Sequence, residues 1–214
     1  MSERARPRRH AERGTTERAV VDAILDEGLV AHVGFVVDGQ PYVIPMGYAR
    51  DRDRILLHGS VKSRLMAALA AGVPACVTVT HLDGVVMARS TFHSSMNYRS
   101  AVVFGTARAI EDPAEKRRAL DLLTEHLIPG RGADARGPDD GELAATQVVE
   151  LSIEEATAKV RSGPPKDRPG DERLPIWAGV VPLAMAPGSP EAAPDLPAGI
   201  EPPDYVARYR RRDR

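Results

Sequence analysis

Val20, Val21, Ile24 and Leu25 repeat at helical spacing, with polar residues between them. The spacing predicts a first helix over residues 17–27, stopped by Gly28. From residue 29 the period changes. Residues 29–37 are apolar and valine-rich, which reads as a strand. Asp38-Gly39 then supplies a two-residue hairpin turn, because both turn positions need positive φ. Residues 40–49 return as a second strand. Pro41 and Pro45 lack a backbone donor, so this strand is expected at an edge or with a bulge. Residues 50–53 turn the chain, and 54–59 form a third strand.

A short helix is expected over 61–71, capped by Ser60 and stopped by Gly72. Cys76-Val77-Thr78-Val79-Thr80 alternates cleanly, giving a strand over 75–81. Further strands are expected at 85–90 and 100–110. Asp112-Pro113-Ala114-Glu115 opens a helix that runs to about Leu127, with proline first and a capping box. Residues 129–141 read as a loop, 145–153 as a strand, and 158–161 and 176–181 as short strands. There are no internal repeats. At least six strands follow one another with few intervening helices, which excludes a parallel βαβ sheet. The expected fold is mainly β with peripheral helices, the strands closing into a small antiparallel barrel. Residues 1–14 form a flexible basic N-terminus, 15–183 one domain, and 184–214 an extended Pro/Ala-rich and basic tail.

Composition narrows the function classes. The chain has 214 residues, 43% of them hydrophobic, and a formal net charge of −1. No overall basic field exists to hold nucleic acid or a membrane surface. Arginines do cluster at both ends, at 4, 6, 8, 9 and at 208, 210, 211, 212, 214, as solvated termini do. Cys76 is the sole cysteine, so no intrachain disulfide forms, and its apolar surroundings suit a buried thiol. No apolar segment is long enough to span a bilayer, and the N-terminus lacks an apolar signal core. The expected compartment is the cytoplasm.

Two stretches carry candidate chemistry. In Leu57-His58-Gly59-Ser60-Val61-Lys62-Ser63-Arg64 a strand ends, a glycine opens space and a helix begins. Backbone N–H groups at a helix start attract anions, whereas cations there oppose the helix dipole. Lys62 and Arg64 therefore make sense around a phosphate; the competing reading is a solvated helix start. The second stretch, residues 87–100, is rich in hydroxyl, amide and guanidinium groups between two strands. Arg99 and Ser100 are placed to reach a phosphate and Tyr98 to cover an aromatic ligand. The six histidines show no paired metal spacing, and there is no nucleophile elbow, phosphate loop or dinucleotide fingerprint.

These stretches, with Asp38-Gly39-Gln40-Pro41-Tyr42-Val43-Ile44-Pro45-Met46, Asn97-Tyr98-Arg99-Ser100 and Trp177-Ala178-Gly179-Val180-Val181-Pro182, occur in a characteristic order. In that order the chain resembles the pyridoxamine 5′-phosphate oxidase-like superfamily of FMN-binding split barrels. The branch it most resembles is that of the flavin-nucleotide-binding and nitroimidazole-resistance reductase proteins, over residues 13–183. The resemblance implies a six-stranded antiparallel split β-barrel. It places Val43, Ile44, Pro45 and Met46 along an isoalloxazine ring. His58, Gly59, Ser60, Lys62, Ser63 and Arg64 would hold the ribityl phosphate. Ser100 would reach the flavin from the partner chain of a homodimer whose flavin sites lie at the interface. Tyr98, Arg99 and Trp177 would be further wall residues. Lys159 and Arg161 match no such site and read as solvated.

The implied activity is FMN-dependent reduction of a small organic substrate, with no catalytic acid or base named. One departure matters. The true oxidase grips its substrate phosphate with an Arg-Leu-His segment, and here Arg173-Leu174-Pro175 lacks the histidine. Related branches bind F420, haem or biliverdin on the same barrel, so an F420-dependent reductase or a non-enzymatic flavin or haem carrier are the alternatives.

Overall fold

The computed structural model describes residues 3–209. The basic cluster at 210–214 lies outside the described residues. Among these residues nine strands and five α-helices follow in chain order. β1 (Gly14–Thr15) and α1 (Arg18–Glu27) lead into β2 (Val30–Val37), β3 (Gln40–Asp51) and β4 (Arg54–Ser60). α2 (Arg64–Ala70) precedes two long strands, β5 (Pro74–Met87) and β6 (Ser95–Ala109). Next come α3 (Pro113–Leu127), α4 (Asp140–Ala145), β7 (Thr146–Ser152), β8 (Glu155–Arg161), β9 (Gly179–Pro182) and α5 (Asp204–Ala207).

The sheet order is β1-β8-β6-β7-β4-β3-β2-β5-β9, and β5 also pairs with β6. That last pairing closes a ring of six antiparallel strands, β6-β7-β4-β3-β2-β5. Closure follows from alternation: Ala31, Val33 and Phe35 of β2 point inward with Val77 and Val79 of β5 and Val103 of β6. α1 adds Val21, Ile24 and Leu25 to the same core. A smaller apolar cluster, Ala49, Leu56, Ile110, Ala119, Leu123 and Val148, seats α3 on the outside of β3, β4 and β7.

The Asp38-Gly39 turn has φ of +51° and +77°, as a primed hairpin turn requires. Other details depart from the sequence expectation. The two strands expected at 75–81 and 85–90 are one strand, β5, with a bulge between Leu82 and Gly84. β6 begins at Ser95, so Asn97 to Ser100 lie in a strand and not in a loop. The loop expected at 129–141 gives way to α4, which carries a full capping box between Asp139 and Glu142. At the earlier box only half forms: the Asp112 carboxylate accepts from Glu115 N, while the Glu115 carboxylate accepts from Arg54. Among the described residues no helix is long and apolar enough to cross a membrane.

Candidate functional site: an open strand edge facing two unpaired cations

β3 changes partner half-way. It pairs with β2 over residues 40–47 and with β4 only from Tyr48 to Asp51. β4 meanwhile stays on β7 through His58, Gly59 and Ser60. A gap therefore opens between the first half of β3 and the end of β4, and this is the split in the barrel. The prolines explain the edge. Pro41, Val43 and Pro45 share one parity in the register, and proline is tolerated where its missing N–H would face away from the neighbouring strand. Between the two prolines, Val43 is the residue of that parity that keeps an N–H for the gap. Val43 is 64% exposed and Ile44 39%. Met46 is half-buried against the main core.

The opposite wall is polar. Ser60 Oγ accepts from Lys62 N at 3.2 Å, shaping the turn after β4. The expected helix cap moves: Ser63, not Ser60, caps α2, its Oγ accepting from Met66 N at 3.4 Å. α2 is only seven residues long, so the cations and the hydroxyls, not a helix dipole, define this wall. Arg64 lies over the Tyr42 ring, 5.0 Å from its centroid, and Tyr42 stacks on Phe35 at 5.3 Å. That arrangement holds the Arg64 guanidinium beside the β3 edge without a carboxylate. Lys62 likewise has no carboxylate partner among the described residues. The buried Nδ1 of His58 has no hydrogen-bond partner, and burial pushes the imidazole pKa below its usual value. An orphaned ring nitrogen and two uncompensated cations along an open strand edge suit a planar, phosphorylated ligand.

The remaining expected residues lie elsewhere. Tyr98, Arg99 and Ser100 sit on β6, paired to Leu82, His81 and Thr80 of β5. Arg99 does not offer a free guanidinium. It forms ion pairs with Glu27 and, at 2.8 Å, Asp83, which raise its pKa further. Ser100 Oγ donates to Lys159 O at 3.4 Å. Trp177 is 66% exposed just before β9. Within one chain these residues do not meet the β3–β4 cleft.

Sequence reasoning missed two features. Arg161, expected in solvent, is buried at 8% exposure. Arg89 pairs with Asp167 at 2.6 Å across 78 residues, a contact with no local signal.

The family profile described as pyridoxamine 5′-phosphate oxidase matches residues 17–160. The chain belongs to the pyridoxamine 5′-phosphate oxidase-like family. Among curated proteins none matches this chain. Among solved structures it is similar to the flavocytochrome Anf3 of Azotobacter vinelandii, at 38% identity and a TM-score of 0.91, covering 98% of this chain and 97% of that one. It is also similar to the FAD and haem binding protein of Mycobacterium smegmatis, at 45% identity and 0.87, covering 91% and 95%. A Bacteroides thetaiotaomicron protein assigned provisionally to 5-nitroimidazole antibiotic resistance shares the fold, at 24% identity and 0.59, covering 69% and 86%. The ring of six strands is thus the flavin-binding fold of this family.

Proposed function

We propose that this family member is a redox protein that holds a flavin nucleotide in the β3–β4 cleft, carries a haem as well, and works as a homodimer on a small-molecule electron acceptor. The carrying observation is the cleft itself: an open β3 edge facing Lys62 and Arg64, neither paired with a carboxylate among the described residues. The names of two similar structures, flavocytochrome and FAD and haem binding protein, support haem beside flavin, and the second favours FAD over FMN.

In this reading the Val43 N–H donates to the ring system. Ile44 and Met46 cover a ring face, and Lys62 with Arg64 neutralises phosphate. His58 turns its vacant Nδ1 toward the ribityl chain. Outside the cleft, His32 on the outer face of β2 and His93 before β6 carry rings without a hydrogen-bond partner among the described residues. Imidazole is a common haem ligand, so either ring offers a nitrogen to the group; His32 does so on the same sheet face as Val36 and Val43. Bound flavin and haem would supply the electron transfer; the chain positions them and excludes water.

The homodimer rests on an uncharged outer sheet face. Val36 and Val43, both more than half exposed, lie on it with Gly34, Cys76, Thr78 and Val102 across four paired strands. The test is the visible spectrum of the purified protein, with mass analysis of what it releases. Flavin bands together with a Soret band are expected, and FAD, FMN and F420 differ in mass. A colourless protein that takes up neither flavin nor haem would overturn the proposal.

A further inference from the structure

Arg161 is the one arginine among the buried described residues. Its side chain donates to Asn97 Oδ1, to Pro164 O at 3.3 Å and to Gly163 O at 3.5 Å. Every one of these acceptors is neutral. The other arginines withdrawn from solvent all have carboxylates: Arg50 has Asp26, Arg54 has Asp51 and Glu115, Arg89 has Asp167, and Arg99 has Asp83 and Glu27. A buried cation without a counter-charge is costly, and a guanidinium has five N–H donors, more than these three acceptors use. Lys159 is two residues back on the same side of β8, and its Nζ donates to Arg9 O at 2.9 Å, again a neutral partner. The register sets Arg161 opposite Tyr98 and Lys159 opposite Ser100.

We infer that Arg161, with Lys159 beside it, is a second anion-binding point that takes a carboxylate or phosphate of a ligand spanning the two subunits. This rests on the dimer reading above, extended so that Ser100, on the same sheet face as Val102, reaches the partner's cleft. Asn97 and the 163–164 carbonyls hold the guanidinium in place, so the fork is oriented before the ligand arrives.

The test compares wild type with Arg161→Gln and Arg161→Lys, keeping Arg64→Ala as a control for the cleft wall. Thermal unfolding is followed with and without inorganic phosphate at constant ionic strength. Affinities are then measured for FAD against riboflavin and for haem against its dimethyl ester. Arg161→Gln and Arg64→Ala are each expected to lose a separate part of the phosphate-induced rise in Tm, and the double variant to lose both parts. Arg161→Gln should weaken one charged ligand by about ten- to a hundredfold while sparing its neutral analogue. Arg161→Lys should recover part of that loss. A loss confined to FAD assigns a phosphate, and a loss confined to haem assigns a propionate carboxylate. Equal weakening of charged and neutral ligands, or an unchanged phosphate response with a lower Tm throughout, would make Arg161 a loop staple and overturn the inference. Should wild type take up no cofactor at all, the proposed function falls, while the phosphate arm still decides Arg161.

Discussion

Arg64 shows how one side chain can be legible by type but not by environment. The sequence places a cation after a strand end. The structure lays it on Tyr42 with no carboxylate, poised for an anion. Arg64→Ala is therefore expected to weaken FAD or FMN by about ten- to a hundredfold and to leave riboflavin, which lacks the phosphate, almost unchanged. Titration of apoprotein with both flavins checks this, and equal losses would make Arg64 structural. His58 gives a pH prediction. Burial favours its neutral form, so its folded pKa lies below the reference 6.5. The unfolded chain then binds more protons between the folded pKa and 6.5. The contribution is complete above 6.5 and is lost as pH falls through the folded pKa. Apoprotein should lose more stability over that window than His58→Gln, measured by urea unfolding at a series of pH values. An identical pH dependence in the two proteins would refute the desolvated imidazole.

At the scale of elements, the end of α1 is the most heavily tied point. Tyr48 Oη donates to Leu25 O, His81 Nε2 to Ile24 O at 3.0 Å, and His126 Nε2 to Gly28 O at 2.7 Å. Three elements distant in sequence thus donate to carbonyls at the helix end, where Ile24 O also accepts from Gly28 N at 3.2 Å. Gly28 is a stop for a reason the sequence does not state. Its φ is −71°, so no left-handed turn is needed. What excludes a side chain is space: an added Cβ would overlap Val79 and the Tyr48 hydroxyl. Gly28→Ala is expected to destabilise the fold by roughly 1–3 kcal/mol through overpacking, read as a lower denaturation midpoint with an unchanged slope. A neutral effect would mean that α1 shifts freely. The second helix teaches the complementary lesson. Ser60 and Ser63 are both acceptable caps by type. Pairing of β4 with β7 through Ser60 keeps that residue in the strand and leaves the cap to Ser63.

For the whole molecule, the uncharged face around Val36 and Val43 predicts a two-fold dimer. Val36→Asp should raise the dimer dissociation constant strongly, because the interface would have to bury a carboxylate without a counter-charge. Sedimentation of wild type and variant checks it. A monomeric wild type that still binds flavin tightly would remove the dimer from the proposal. Flavin retention should fall together with dimerisation if the partner completes the site.

The local rules acted where neighbours in sequence are also neighbours in space. Alternation fixed the strands from Val30 to Val37 and from Cys76 to Thr80, and Asp38-Gly39 fixed the hairpin between β2 and β3. Pro41 and Pro45 marked the open edge, because a missing N–H is a local property. The order of the motifs was enough to reach the family. Tertiary structure decided the rest. Ring closure of β5 on β6, the bulge that merges two expected strands, and the commitment of Arg99 to Glu27 and Asp83 all join distant residues. Burial decided Arg161: its sequence surroundings resemble those of a solvated arginine, and only the packed chain withdraws it from water without supplying a carboxylate. Spacing along a chain encodes side-chain period and turn geometry, whereas charge compensation depends on which surfaces folding brings together.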